Sequence, residues 1–326
     1  MGNDLKQNRR EFLERMLKAG SLIGGMAALG MLTYRGFLSE KVYSGEKENL
    51  VFPDYRVKTD KSQLVVVRGK NRGEMLEKGL TAIGSLSTFI KPGDRVLIKV
   101  NAAFATPPEL CATTHPDLLS KMILQCYQCG AKKVVVTDNP INDPSTAFQL
   151  TGLEQATRKS GASLILPSQS KFREISLDKG KLIKNWPVLW EPFHDINKVI
   201  GMAPLKSHFR SGASMTMKNW YGLLGGQRNI FHQDIHGIIE ELSLLMRPTL
   251  VVLDATFTMI SNGPTGGSLS DLKPTNQIII SNDPVAADAF GATLLEKRLS
   301  DLPHIERAFR AGAGLTPLAD VKPILI

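Results

Sequence analysis

The sequence predicts a two-lobed α/β protein with largely parallel sheets, flanking helices and a β-hairpin insertion. Three observations predict it. Short β-branched runs alternate with longer helical patterns, helix candidates fill the gaps between the strand candidates, and 42% hydrophobic with 22% charged residues over 326 positions can bury a large core. Strands are expected at Gln63–Val67, Arg95–Val100, Lys133–Thr137, Ser163–Leu166, Lys198–Met202, Thr249–Leu253 and Gln277–Ser281. Helices are expected at Gly73–Phe89, Pro116–Cys129, Ser145–Ser160, Ile235–Met246 and Val285–Lys297. Between Lys171 and Trp190 the residues alternate around an Asp178-Lys-Gly180 turn, a hairpin signature. Two lobes follow, 62–170 and 197–326, separated by a hairpin insertion over 171–196.

Ahead of the folded region, Asn8-Arg9-Arg10-Glu11-Phe12-Leu13 precedes an apolar run from Ala19 to Thr33, rich in Gly and Met. This resembles a twin-arginine export signal, which implies transport of a folded chain by the twin-arginine machinery to the periplasm or the outer face of the cytoplasmic membrane. No clear Ala-x-Ala cleavage site follows, so residues 1–38 are a signal or a retained membrane anchor, although the run is short of the ~20 residues a spanning helix needs. Residues 39–61 are polar and read as a linker.

The net charge is +9, yet lysines and arginines are interleaved with acids and form no aromatic-studded stripe. Nucleic acid is therefore not an expected partner; a small anionic molecule or an anionic membrane surface suits the charge better. Cys111, Cys126 and Cys129 are too few for a disulfide scaffold. The single C-x-x-C pair can bridge, bind metal or simply pack, and it is weak evidence for an iron–sulfur cluster.

Ligands of open α/β sheets gather beyond the carboxyl ends of the strands. Lys99, Asn101, Thr137, Asp138, Lys206, Asp254, Ser281, Asn282 and Asp283 fall there; each alone could cap a following helix, and Asp283 before Pro284 is expected to do so. No G-x-G-x-x-G or Walker-type loop follows these strands, which argues against nicotinamide and nucleoside-triphosphate chemistry. The densest cluster spans Ala203 to His236 and holds Lys206, His208, Lys218, Asn219, Arg228, His232, Asp234 and His236, with half of the chain's six histidines. His232 and His236 share one face if helical and can hold a metal or an anion, or they are solvated loop histidines. Asp234 is expected to cap the helix that follows. A lysine in so apolar a setting has a lowered pKa, which suits covalent attachment or proton transfer at Lys218, unless it snorkels to water. Gly225 and Gly226 suit a close phosphate approach or a helix end. Thr114 or His115 can cap the helix opened by Pro116.

Lys99-Val-Asn101, Thr113-Thr-His115-Pro, Val135-Val-Thr-Asp138, Pro204-Leu-Lys-Ser-His208, Met217-Lys-Asn219, His232, Val252-Leu-Asp254 and Ser281-Asn-Asp-Pro-Val-Ala-Ala-Asp288 resemble, in order, the domain of unknown function 362 family. Members often carry a twin-arginine signal, and some carry ferredoxin-like cluster motifs whose repeated cysteines are missing here. A more distant similarity is to lactate racemase-like proteins: Thr114-His115, then His208 with Lys218 ten residues on, then His232, repeat that family's order. By this resemblance Lys218 is the attachment site of a nickel-pincer nucleotide, His115 and one later histidine are acid and base, and the other histidine is a metal ligand. Ser214-Met-Thr-Met217 departs from the family's Ser-Gly-Gly, and Asn101-Ala-Ala-Phe lacks its arginine.

The expectation is an exported enzyme that binds an anionic small molecule in a Lys/His-rich cleft, as an isomerase or oxidoreductase dependent on a divalent metal or nickel-containing nucleotide. His115, Lys218, His208 and Asp138 are the expected catalytic residues. Lys206, Lys218, Asn219, Lys99 and Asn101 are expected to bind cofactor or substrate, and His208, His232 and His236 to bind metal. The alternatives are an exported non-catalytic binding protein for a metal, phosphate or anionic cofactor, and an iron–sulfur or thiol redox protein.

Overall fold

The computed structural model describes residues 50–58 and 63–326. The signal expected over 1–38 lies outside the described residues. In chain order the main elements are β1 (Leu64–Arg68), α1 (Arg72–Ala82), α2 (Leu86–Phe89), β2 (Arg95–Lys99), α3 (Pro116–Gln128), β3 (Lys133–Thr137), α4 (Pro144–Leu150), α5 (Leu153–Lys159) and β4 (Ser163–Leu164). Then come β5 (Phe172–Ile175), β6 (Trp186–Leu189), β7 (Lys198–His208), β8 (Gly212–Ser214), α6 (Thr216–Asn219), α7 (Ile235–Leu245), β9 (Leu250–Met259), β10 (Leu272–Ser281), α8 (Pro284–Leu294), α9 (Pro303–Arg310) and β11 (Ile324–Leu325).

One nine-stranded sheet runs β11-β1-β10-β9-β7-β2-β3-β4, with β8 added to β7. The pairs β2/β3, β2/β7, β3/β4 and β7/β9 are parallel, whereas β10 lies antiparallel to both β1 and β9. Strands of both expected lobes share this one sheet: β7 of the second pairs with β2 of the first, and β1 of the first lies between β10 and β11 of the second. The boundary expected near 170–197 therefore corrects to an excursion from a single sheet. That excursion is the hairpin: β5 and β6 pair antiparallel from Phe172↔Leu189 to Ile175↔Trp186, in a sheet of their own.

Both faces of the main sheet are covered, as parallel strands require, since their side chains alternate between two apolar layers. Val96, Ile98, Val134, Val136, Ile200, Val252 and Ile280 pack with Leu76 and Leu80 of α1 and Leu119 and Met122 of α3. On the other face Leu97, Val135, Val199, Val251, Leu253 and Ile279 pack with Ile238 and Leu242 of α7, Val285 of α8 and Ile305 of α9.

Two expected helices are broken by left-handed turns. The helix over 73–89 stops at Ala82, where Gly84 and Ser85 take φ of +100° and +70°; the helix over 145–160 divides at Gly152, φ +72°. The linker reading is corrected over 50–58, where Phe52 and Tyr55 are buried and Phe52 packs its ring against Trp190 and Phe193. Among the described residues no helix is long and apolar enough to cross a membrane.

Strand β7 decides where chemistry can occur. It was expected to end at Met202, before Pro204, yet it runs to His208 because a register shift between Pro204 and Lys206 accommodates the proline and the β8 hairpin pairs Lys206 with Ser214. The extension carries Lys206 and His208 past the sheet core.

Candidate functional site: a cation-lined cavity at the strand ends

A cavity of about 240 Å³ opens beyond the carboxyl ends of β2, β3 and β7. Lys99 and Asn101 reach it from the end of β2, Asp138 from the end of β3, Lys206 and His208 from the extension of β7. Short α6 adds Lys218 and Asn219, and the turns after it add Tyr221, Gly222, Arg228 and His232. The start of α6 is pinned by Asp288 of α8, whose carboxylate accepts the backbone N–H of Thr216 at 2.8 Å and of Met217 at 3.0 Å. Burial pushes the Asp288 carboxyl up to about 7 against the pull of those hydrogen bonds.

At the floor, Lys99 Nζ lies 2.6 Å from Asp138 Oδ1 and also donates to the Val100 carbonyl and to Asn219 Oδ1. Its three donors are thus satisfied. Asp138 Oδ2 accepts the Ala102 N–H at 2.6 Å, and the Asn219 amide donates to the Met202 carbonyl. This network ties β2, β3, β7 and α6 together. Gly222 packs directly on it: a Cβ there would stand 2.1 Å from Asp138 Oδ1 and 2.6 Å from Lys99 Nζ. Glycine is required by that close approach.

Above the floor the charges are not matched. Lys206 is 1% exposed and its Nζ donates to the Ala112 carbonyl at 2.6 Å, with the Phe104 ring 5.3 Å away. Lys218 Nζ lies over the Tyr221 ring at 5.1 Å, and the Arg228 guanidinium donates to the carbonyls of Pro140, Leu224 and Tyr221. Among the described residues none of these three cations has a carboxylate within ion-pair distance. Burial, then mutual repulsion, drives Lys206 down to about 7 and Lys218 down to about 8.

Two histidines complete the wall. His208 Nδ1 accepts the backbone N–H of Arg210 and Ser211, each at 3.2 Å, so the neutral ring carries its proton on Nε2. Burial and the neighbouring lysines push it down to about 2, which keeps it neutral. His232 Nδ1 lies 3.1 Å from the Asn229 carbonyl, which can only accept, so its Nε2 keeps the lone pair. Burial likewise lowers its pKa. The rings are stacked 6.2 Å apart. One imidazole therefore offers a donor and the other an acceptor.

Of the residues expected to form the site, Lys99, Asn101, Asp138, Lys206, His208, Lys218, Asn219 and His232 line the one cavity. His236 does not join them. Its Nδ1 meets Nδ1 of buried His304 at 2.9 Å, and the two rings stack between α7 and α9. The metal set His208, His232 and His236 is thereby reduced to two imidazoles, and among the described residues no group of three His, Cys, Asp or Glu is poised to hold a metal ion. His115 is corrected too: it caps α3, accepting the Asp117 N–H at 3.3 Å, and is not part of the cavity wall. Asp254 holds Arg72 at 2.7 Å and is not part of the cavity wall. Asp234 and Asp283 cap α7 and α8 as expected. The three cysteines are free thiols; burial pushes Cys111 up to about 11 and raises Cys126 further, which suits packing and not redox exchange.

Sequence reading passed over Phe104, Tyr221 and Gly222, and over Pro264 and Thr265, which reach the cavity from the loop between β9 and β10. Nothing local marks them. That loop is folded back by Asp271, which accepts from Ser261 and Asn262.

A doubly covered α/β sheet with a cation-lined cavity at its carboxyl edge is the class of protein these features define. The chain belongs to the domain of unknown function family DUF362, whose model matches residues 96–293 and so spans every residue that lines the cavity. It is 24% identical over 253 residues to a thylakoid-associated protein of Synechocystis, covering 74% of each chain. Among solved structures it is similar to the lactate racemase apoprotein of Thermoanaerobacterium thermosaccharolyticum, at 11% identity and a TM-score of 0.39, over 78% of this chain and 60% of that one. It is also similar to a structural-genomics protein from Thermotoga maritima, at 12% identity and a TM-score of 0.32, over 59% of this chain and 52% of that one.

Proposed function

We propose that the cavity binds a small anion and moves a proton on it. The observation that carries this reading is the presence of Lys206, Lys218 and Arg228 on one cavity without a carboxylate partner. Buried cations without counter-charge are costly, and an anionic ligand supplies what the fold omits. Arg228 and Lys218 would hold the anion, while the Lys99–Asp138–Asn219 network keeps the floor rigid. His232 Nε2 is the base candidate, and the His208 Nε2–H is a donor for a developing negative charge.

The cofactor implied by the distant racemase similarity does not fit the residues present. Two imidazoles make an incomplete donor set, and about 240 Å³ falls below the roughly 300–1,000 Å³ of cofactor-sized pockets. Export rests on Arg9-Arg10 and the apolar run after it, and we place the protein outside the cytoplasmic membrane on that motif; replacing both arginines by lysine is expected to leave the protein in the cytoplasm.

The test of proton transfer is exchange. Small 2-hydroxy and 2-oxo acids incubated with the protein in deuterated water are expected to lose their exchangeable C–H signal by NMR, at C2 of a hydroxy acid or at C3 of an oxo acid, and His232→Ala to stop the loss. Binding without exchange for every acid tried would move the assignment to a binding protein, which needs the same cations but not the paired imidazoles.

A further inference from the structure

Lys206 differs from Lys99, which is buried but paired with Asp138, and from Lys218, which is only partly buried: it is buried and, among the described residues, has no carboxylate partner. An ammonium offers three donors, and Lys206 Nζ finds one hydrogen-bond acceptor, the Ala112 carbonyl. The nearest carboxylate of the wall, Asp138, is already held by Lys99 at 2.6 Å. Lys218 stands close enough to repel it, and Phe104 closes one side with an aromatic face. The side chain is 1% exposed and its nitrogen faces the cavity. A free amine suits this position better than an ammonium: it donates to Ala112 and keeps a lone pair.

We propose that Lys206 is a carbonyl-reactive amine and that the anion taken by this cavity carries an aldehyde or ketone beside its charge, as in a 2-oxo acid. The proposal rests on the anion-binding reading and names its substrate class. Lys218 and Arg228 hold the carboxylate and set the carbonyl carbon against Lys206 Nζ. Nitrogen attacks that carbon: a C–N bond forms, the C=O π pair moves to oxygen, and a proton passes from nitrogen to oxygen to give a carbinolamine. Protonation of the hydroxyl, with His232 positioned to relay the proton, releases water and leaves a protonated imine. No oxidant or reductant is consumed. The positive imine next to the held carboxylate acidifies the neighbouring C–H, the proton that His232 Nε2 is placed to take.

Reductive trapping tests this. The full-length protein is incubated with glyoxylate or pyruvate and cyanoborohydride, then analysed by intact mass and peptide mapping. A single adduct on Lys206, absent from folded Lys206→Met, is expected. Adducts spread over surface lysines, or confined to Lys218, would overturn the proposal. Because trapping is read in the unmutated protein, it stands even if Lys206→Met does not fold. Calorimetric titration with acetate and inorganic phosphate runs alongside: anions that bind while Lys206 stays unmodified sink the imine and leave the anion site, whereas no binding and no adduct sink both.

Discussion

Two polar clusters sit at neighbouring strand ends and are built on opposite principles. On β9, Asp254 faces Arg72 at 2.7 Å, with Cys111 Sγ 3.8 Å from the same guanidinium and His115 turned to cap α3; each charge has its partner. Beyond β7, Lys206, Lys218 and Arg228 share a cavity whose one nearby carboxylate is held by Lys99. A matched buried pair answers to folding alone. An unmatched cluster is a liability to the unliganded fold, and such strain is retained where a ligand relieves it.

Breaking each cluster should therefore have opposite consequences. Arg72→Met strands the Asp254 carboxylate and is expected to cost about 3–5 kcal/mol of stability, read by urea denaturation, with anion affinity unchanged in the protein that remains folded. Lys206→Met removes an unmatched charge and is expected to raise the melting temperature while lowering anion affinity at least tenfold. A fall in melting temperature for Lys206→Met would erase the contrast.

Gly222→Ala sharpens it further. The added methyl cannot fit 2.1 Å from Asp138 Oδ1, so the Lys99–Asp138 pair must part. Anion affinity is expected to drop several-fold, because the floor that places Asn219 and Lys218 moves.

Acid sensitivity separates the histidine pairs. His304 is pushed down to about 3, chiefly by burial and next by His236, while an unfolded histidine titrates near its ordinary 6.5. A depressed base is neutral when folded and protonated when unfolded, so this contribution is present above 6.5 and is lost as pH falls from there toward 3. His304→Phe is expected to flatten that part of the stability profile without changing anion binding. The smallest effect belongs to His115→Ala, which removes a cap worth about 0.5–2 kcal/mol and should leave anion affinity and proton exchange intact; loss of exchange would return His115 to the catalytic machinery.

How far the sequence could be read follows the same division. The central strands β2 and β3 and helix α3 were legible, since β-branched runs and the His115-Pro116 start are local signals. The clustering of Lys206, His208, Lys218 and His232 was legible because scarce residue types stood close in the chain. The continuous sheet was not, because the insertion of β7 between β2 and β9 is set by long-range pairing. Equally hidden were the bulge that carries β7 past Pro204 and the turn of His236 toward His304, both decided by partners distant in sequence.

Proton linkage tests the unmatched-cation account most directly. Lys218 ordinarily titrates near 10.5; burial and then Arg228 bring it down to about 8, and an anion held against it pulls it back up. Binding should therefore take up protons, with affinity highest below pH 8 and falling as pH rises through it. Calorimetric titration of a small anion at pH 8, in two buffers of different ionisation enthalpy, measures that uptake. A net uptake that diminishes in Lys218→Met is the expected result; anion binding with no proton taken up would contradict it.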